Sequence, residues 1–559
     1  MTNFLENVFA GLRAAGDRVI LREIRGESFT SVTGRELLKM IAAARGYLRR
    51  AGLQPGERCA ILGANSISWT ALDLALMAER AVVVPLYSRQ AATELAGMMK
   101  DSGPRLLFVS ESELGDEVAK AWPGAPGQVV FREALSGQAG GVSEEEGPKP
   151  RTDEDLITII YTSGTSGEAK GVCLDTANLN FMLGCTTQWM DLLEKNEKEP
   201  LRVFQYLPFN FAASWIVMMS CLLRETTLTL STDLNKLGDE IRLSAPNYFF
   251  NVPTLLERVR RGVEENIASR DALSQAIYRN AKAAWRREQD GEKRGWDGMW
   301  AFLGDRLIFR KIKDKFGGHL RGLICGSAPL APETQEFFQM LGVPIWQVYG
   351  LTETCGICTM DDPRAKSEPG RVGRTIPGIE MVVGENEELV VRGPNLFRGY
   401  WNRPEETAKV LRDGAFHTGD QGEVNTRGNW RISGRIKNLI ILNSGHNIAP
   451  EPIEEKIAQR LPGAQQVVVV GNGRGYLCAL VTGNPDPKAV QSALDEVNAE
   501  LPHYRQIRNF TIAREAFTPE SGLVTANGKV KRDAINAKYK SEIEQMYRKQ
   551  QAAAGGSGK

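Results

Sequence analysis

Residues 156–171 read LITIIYTSGTSGEAKG. The first five are a continuous apolar run rich in β-branched side chains, the pattern of a strand buried on both faces. From Tyr161 to Gly171 the composition changes. Thr162, Ser163, Thr165 and Ser166 carry hydroxyls, Gly164, Gly167 and Gly171 leave the backbone bare, and Lys170 adds one charge. Bare backbone lets N–H groups approach an anion, hydroxyls add donors and an ammonium adds attraction, so the stretch reads as a loop that wraps phosphates. A plain Ser/Gly turn after a buried strand has no need of so many donors. The Walker pattern does not fit, because it requires Gly at 169 and Ser or Thr at 171, where Ala169 and Gly171 stand.

Working outward, runs of the same buried-strand type recur as CAILGAN (59–65), AVVVPLY (81–87), LLFVS (106–110), TTLTL (226–230), NYFFNVP (247–253), LRGLICGSA (320–328) and VPIWQVYG (343–350). They alternate with helical patterns, which predicts α/β layers. Between about residues 373 and 432 the strands shorten and are broken by Gly and Pro, as in an antiparallel or barrel-like subdomain. Beyond Arg435 a second compact α/β stretch follows, with strands QQVVVVG and YLCALVTG and helices near 450–460 and 489–501. The expected division is a large domain, 1–434, a small mobile α/β domain, 435–548, and a flexible tail, 549–559. Residues 137–152, rich in Gly, Glu and Pro, read as a linker or exposed loop.

Composition narrows the function. A chain of 559 residues exceeds one ordinary hydrophobic core, so two or more domains with a cleft between them are expected. With 69 basic against 68 acidic side chains there is no net field of the kind nucleic-acid binders use. No apolar run approaches the roughly 18 residues that cross a bilayer, and the amino terminus lacks the basic-then-apolar order of a secretory signal. Eight cysteines are too few for a disulfide scaffold, which suits a reducing, cytoplasmic compartment. Cys355 and Cys358 form a CxxC, open as a redox or half-zinc motif, but no second CxxC exists and the four histidines are scattered; free thiols beside a loop are the plainer reading.

The loop at 161–171 resembles the signature loop of the adenylate-forming superfamily, which holds acyl-CoA synthetases, peptide-synthetase adenylation domains and luciferases; Ala169 stands where the family usually has proline. Further motifs follow in the family's order. Gly326-Ser327-Ala328-Pro329-Leu330 resembles the segment that packs along adenine. Tyr349-Gly350-Leu351-Thr352-Glu353 resembles the nucleotide motif. By that resemblance Tyr349 stacks on adenine, Thr352 hydrogen-bonds the α-phosphate and Glu353 holds Mg²⁺, tasks suited to an aromatic face, a hydroxyl and a hard carboxylate. His417-Thr418-Gly419-Asp420 and Gly434-Arg435-Ile436-Lys437 resemble the ribose-binding aspartate motif and the hinge motif, with Arg435 on ribose or phosphate and Lys437 as hinge. The stretch 443–454 resembles the thioester-forming loop, its Gly445 giving pantetheine room to pass. The stretch 525–532, TANGKVKR, resembles the carboxy-terminal motif; Lys529 takes the position of the catalytic lysine by family spacing, with Lys531 as competitor. The resemblance implies ATP, Mg²⁺ and coenzyme A, with Lys529, Thr352 and Lys170 as catalytic residues.

Residues 246–330 resemble the long-chain fatty acyl-CoA synthetase branch, through PNYFFNVPTLLERV and GGHLRGLICGSAPL. A long-chain fatty acid is therefore the expected substrate. In LPFNFAASW (207–215) the family often has histidine where Phe211 stands, near the acyl entrance, so an aromatic or other bulky carboxylate stays open, as does a gate formed by Phe211 and Trp215. A carrier-protein acceptor and a nucleotide-binding regulatory protein without catalysis are the competing functions. Between residues 257 and 321 basic side chains outnumber acidic ones, with Trp285, Trp296 and Trp300 among them, which fits either a solvated helical insertion or peripheral contact with an anionic membrane.

Overall fold

The computed structural model describes residues 3–137, 141–163, 169–194, 200–461, 463–518, 521–524 and 530–555. Among these, two large sheets carry the layers expected from the buried runs. A seven-stranded sheet orders Gly399–Tyr400, Ala169–Asp175, Leu156–Ser163, Val82–Leu86, Arg58–Leu62, Leu106–Val109 and Gln128–Val130. From Leu156–Ser163 outward to Gln128–Val130 all neighbours are parallel; the other two strands add antiparallel. A nine-stranded sheet has a parallel centre, from Ile345–Tyr349 through Leu323–Cys325, Tyr248–Asn251, Leu201–Gln205 and Thr226–Leu230 to Val19–Arg25. Its far edge is the antiparallel strand Ser28–Thr33. Helices Ile67–Ala78 and Ala212–Leu222, buried nearly all round, lie in one core with side chains of both sheets. That is why neither helix shows a polar face.

All eight apolar runs named above, that at 156–163 included, are strands in these sheets. The segment from Glu380 to Arg435 forms a five-stranded antiparallel sheet. Beyond it, Ala464–Val470, Leu477–Gly483 and Ile507–Ile512 make a three-stranded sheet with helices Glu451–Arg460 and Pro487–Ala499, enclosing a core of its own around Ile453, Ile457, Val467 and Leu494. The last helix, Lys540–Gly555, runs into the stretch expected to be a flexible tail; residues 556–559 lie outside the described residues.

The stretch read as a linker differs from its expectation. Glu146 bonds Arg45 at 2.9 Å, and Lys149 bonds Glu79 at 2.7 Å, while Arg45 and Glu79, both buried, pair with each other at 2.8 Å. Charge-rich composition signals solvation only when partners are lacking, and here two helices supply them.

Candidate active site

A cleft of about 600 Å³ opens where the two large sheets, the five-stranded sheet and the small domain meet. On one wall, strands Leu156–Ser163 and Ala169–Asp175 pair antiparallel in a register that sets Thr162 opposite Lys170 and Ser163 opposite Ala169. The described residues on either side of the phosphate-loop motif are thus paired in one ribbon. Gly164, Thr165, Ser166 and Gly167 lie outside the described residues, as does the side chain of Ser163; Thr162 and Lys170 line the cleft. The Lys170 ammonium contacts Glu406 at 2.5 Å and stands 5.1 Å from the centre of the Tyr400 ring. Lys170 and Lys409 hold the Glu406 carboxyl down at about 2. The Tyr400 hydroxyl donates to Glu353 at 2.8 Å, and burial together with that carboxylate pushes the phenol upward, so it stays a neutral donor.

Opposite, strand Ile345–Tyr349 ends at the cleft and leads through Gly350 into a turn of 3₁₀ helix, Thr352–Thr354. Thr352 and Glu353 thus face the cavity beside Lys170 and Tyr400. Gly350 is required by close approach: a Cβ there stands 2.3 Å from the carbonyl oxygen of Gly356. Gly350→Ala should force a backbone shift costing about 1–3 kcal/mol, read as a lower urea midpoint together with weaker adenylate formation. Gly326 is also closely packed, 2.7 Å from Val348 Cγ2 by the same measure. Of the segment it begins, Ser327 lines the cleft at φ +76°, while Ala328 and Pro329 are exposed and off its wall.

The third group is a charge pair made by register. Asp420 and Arg435 are cross-strand partners on Ala415–Val424 and Trp430–Arg435. Their side chains meet at 2.6 Å, and the other Asp420 oxygen accepts from the Tyr349 hydroxyl at 2.8 Å. Asp420 is 4% exposed. Burial and the Asp420 carboxylate push the Tyr349 phenol well above its ordinary value, keeping it a donor. Nearby, Glu388 accepts from the Gly419 N–H at 2.9 Å and contacts His417 Nδ1 at 2.9 Å, fixing the bend that carries Asp420.

Lys437 borders the cleft just beyond Arg435; desolvation by the walls and the Arg435 guanidinium lower its ammonium to about 8. From the small domain, Val524 and Lys531 also border it, and Lys531 bonds Glu94 of the large domain at 3.1 Å. Lys529 lies outside the described residues, between Val524 and Val530, which form a β-bridge, and Lys531. Gly445 is not brought here. It is exposed at φ +82° with nothing within 4 Å of where a Cβ would stand.

The two gate residues separate. Phe211 lines the cleft and stacks on Phe250, ring centres 6.0 Å apart. Trp215 is 3% exposed, and its indole N–H donates to the buried Asp73 at 2.8 Å. Four residues apart they would share a helix face, but Phe211 is the extended cap before Ala212–Leu222 and leaves the helical line. Trp215 is a core residue in this structure. Cys355 and Cys358 are fully buried free thiols whose ionisation burial opposes. Sequence reasoning missed Tyr400, Glu406 and Glu94; the one available signal was an aromatic in GYW (399–401), within the Gly- and Pro-broken stretch read as antiparallel.

The donors fit magnesium in a particular way. Among the described residues no cluster of three or more His, Cys, Asp or Glu is arranged to hold a metal. Mg²⁺ keeps several waters and is commonly held by one or two carboxylates plus substrate phosphates, so Glu353, on the cleft with Thr162 and Lys170, suits an ion brought with a nucleotide.

Residues 10–401 match the model of the AMP-binding enzyme family, and residues 437–551 match that of the AMP-binding enzyme C-terminal domain. This chain is an AMP-binding enzyme. The long-chain-fatty-acid–CoA ligase FadD15 of Mycobacterium bovis is 30% identical, over 98% of this chain and 97% of that protein. Long chain acyl-CoA synthetase 1 of Arabidopsis thaliana is 29% identical, over 92% and 87%. Among solved structures, the adenylation domain of a Mycobacterium chelonae carboxylate reductase superposes with a TM-score of 0.78 at 22% identity, covering 98% of this chain and 91% of that one. At that identity it speaks for the AMP-binding enzyme fold alone.

Proposed function

We propose that this chain is an AMP-forming acyl-CoA synthetase that activates a long-chain fatty acid with ATP and passes the acyl group to coenzyme A. The observation that carries the reading is the convergence of Lys170, Thr352, Glu353 and Arg435, the last paired with the buried Asp420 that also accepts from Tyr349, on one cleft that the small domain also borders. The names of the relatives at 30% and 29% identity supply the acid and the acceptor.

In the first half-reaction a carboxylate oxygen of the acid bonds the α-phosphorus of ATP and pyrophosphate leaves. Little covalent chemistry is asked of the protein, which aligns reactants and stabilises charge. Asp420 accepts from the ribose hydroxyls, Arg435 adds donors, and Tyr349 gives its ring face to adenine. Lys170 exchanges Glu406 for departing pyrophosphate oxygens, helped by the hydroxyls of 162–166. Thr352 bonds the α-phosphate, and Lys529 bridges carboxylate and α-phosphate. Glu353, with the phosphates, would hold a magnesium ion, which would supply screening of the phosphate charge. In the second half-reaction the thiol sulfur of coenzyme A bonds the acyl carbon, AMP leaves and the thiol proton passes to solvent. The small domain, 435–548, turns about Lys437 against the large domain, 1–434, withdrawing Lys529 and presenting the exposed Gly445 loop, a hinge-type change.

Pyrophosphate release over fatty and aromatic acids, with mass spectrometry of products formed from coenzyme A or an acyl carrier protein, tests the reading. Palmitate-dependent release and palmitoyl-CoA are expected. Aromatic acids outpacing palmitate would move the substrate to a bulky carboxylate, an outcome that the Phe211–Phe250 stack at the cleft makes worth including. Product on the carrier alone would move the acceptor.

A further inference from the structure

The insertion before strand Leu323–Cys325 carries a surface that the cleft does not use. Helix Asp297–Gly304, a π-turn Asp305–Phe309 and helix Arg310–Asp314 follow one another without a break, a rod of roughly 27 Å at 1.5 Å per residue. Its inner side is occupied. Ile308, Phe309 and Ile312 are buried, Phe309 meets Tyr278 edge to face, and a Cβ on Gly304 would stand 2.6 Å from that of Ala281. The outer side is therefore fixed, and its first half is apolar. Trp296 is 73% exposed and Phe302 60%, with Met299 between them and Leu307 beyond also exposed. Spacings of three place Trp296, Met299 and Phe302 along one line. Trp296 is held there by its neighbour: the buried Asp297 accepts from the Arg294 N–H at 2.8 Å and from Arg287 at 3.1 Å.

The second half of the same side is cationic. Between residues 293 and 315 stand Lys293, Arg294, Arg306, Arg310, Lys311, Lys313 and Lys315 against Asp297, Asp305 and Asp314. Asp297 is paired with Arg287 and Asp305 with Lys313, while Lys293 pairs with Glu288. Arg306, Arg310, Lys311 and Lys315 are exposed and outside every ion pair among the described residues.

We propose that this rod is a docking surface for an anionic lipid bilayer, lying flat with Trp296, Met299, Phe302 and Leu307 among the acyl chains and the four free cations on lipid phosphates. Exposed Trp and Phe beside unpaired Arg and Lys is the pattern of an interfacial helix. The charge favours lipid over a second copy, since two copies meeting on this side would oppose one cationic row with another. No helix among the described residues is long and apolar enough to cross a membrane, so the contact is peripheral. The proposal rests on exposure and charge and stands whichever acid the cleft takes.

Flotation of the full chain with phosphatidylcholine vesicles, with and without phosphatidylglycerol, tests it. Binding is expected only with phosphatidylglycerol and should weaken with salt. A Trp296→Ser/Phe302→Ser double variant and, separately, an Arg310→Glu/Lys311→Glu variant should each lose about tenfold or more of that binding. Both should release pyrophosphate normally with a short, water-soluble acid, which verifies that they fold. No binding by the unaltered chain, or equal binding by both variants, overturns the proposal. So does a dimer that becomes a monomer in the Trp296→Ser/Phe302→Ser variant without lipid, which would assign the face to a second copy.

Discussion

Lys529→Ala should slow acid-dependent pyrophosphate release by about 10²–10³ and leave coenzyme A acylation from supplied acyl-AMP within about tenfold, the size of loss seen when one preorganised charge-stabilising donor is removed. Lys529 lies outside the described residues; among the described ones, Val524 and Lys531 border the cleft, and Val524 bridges to Val530. Lys531 is the natural control. Its ammonium is already engaged with Glu94 across the two domains, so Lys531→Ala should weaken closure of the small domain and cost less than Lys529→Ala in the first half-reaction. A larger loss from Lys531→Ala would exchange the two assignments. Equal losses from Lys529→Ala in both half-reactions would remove the domain rotation as the reason for having two geometries.

The layers were legible because buried parallel strands need unbroken apolar runs, and those runs stand out against their surroundings. The hairpin Val19–Arg25 with Ser28–Thr33 was not read, since VILREIR is neither an unbroken apolar run nor a regular alternation and Ser28–Thr33 is mostly polar and largely unburied. Lys170, Glu353 and Asp420 were legible as candidates because each sits in a short motif whose residue types match its proposed chemistry. Tyr400 and Glu406 have no such motif. Tyr400 reaches Lys170 and Glu353 only because Gly399–Tyr400 adds to the edge of Ala169–Asp175, with Tyr400 opposite Val172, a register separated by more than two hundred residues. Trp215 shows the converse. It was paired with Phe211 as a gate, but Phe211 is the extended cap before the helix and lines the cleft, while Trp215 is buried.

Asp420→Ala should raise the KM for ATP by about 10- to 150-fold, the equivalent of the roughly 1.5–3 kcal/mol carried by hydrogen bonds to a charged group. Two causes act together. The substitution deletes the carboxylate proposed to receive the ribose hydroxyls, and it strips Arg435 and the Tyr349 hydroxyl of the partner both share at 2.6 and 2.8 Å. Arg435 retains partial contact with solvent, so its unpaired charge is screened and the stability loss should stay well below that of a fully buried ion. Arg435→Ala separates the causes. If Asp420 acts on nucleotide directly, Asp420→Ala will exceed Arg435→Ala in its effect on ATP, and the double variant will fall short of the sum, because the two side chains belong to one network. Tyr349→Phe removes only the hydroxyl and should cost the least while retaining the aromatic face. Should Arg435→Ala match or surpass Asp420→Ala, the carboxylate is a positioning partner for the guanidinium, and the ribose contact passes to Arg435.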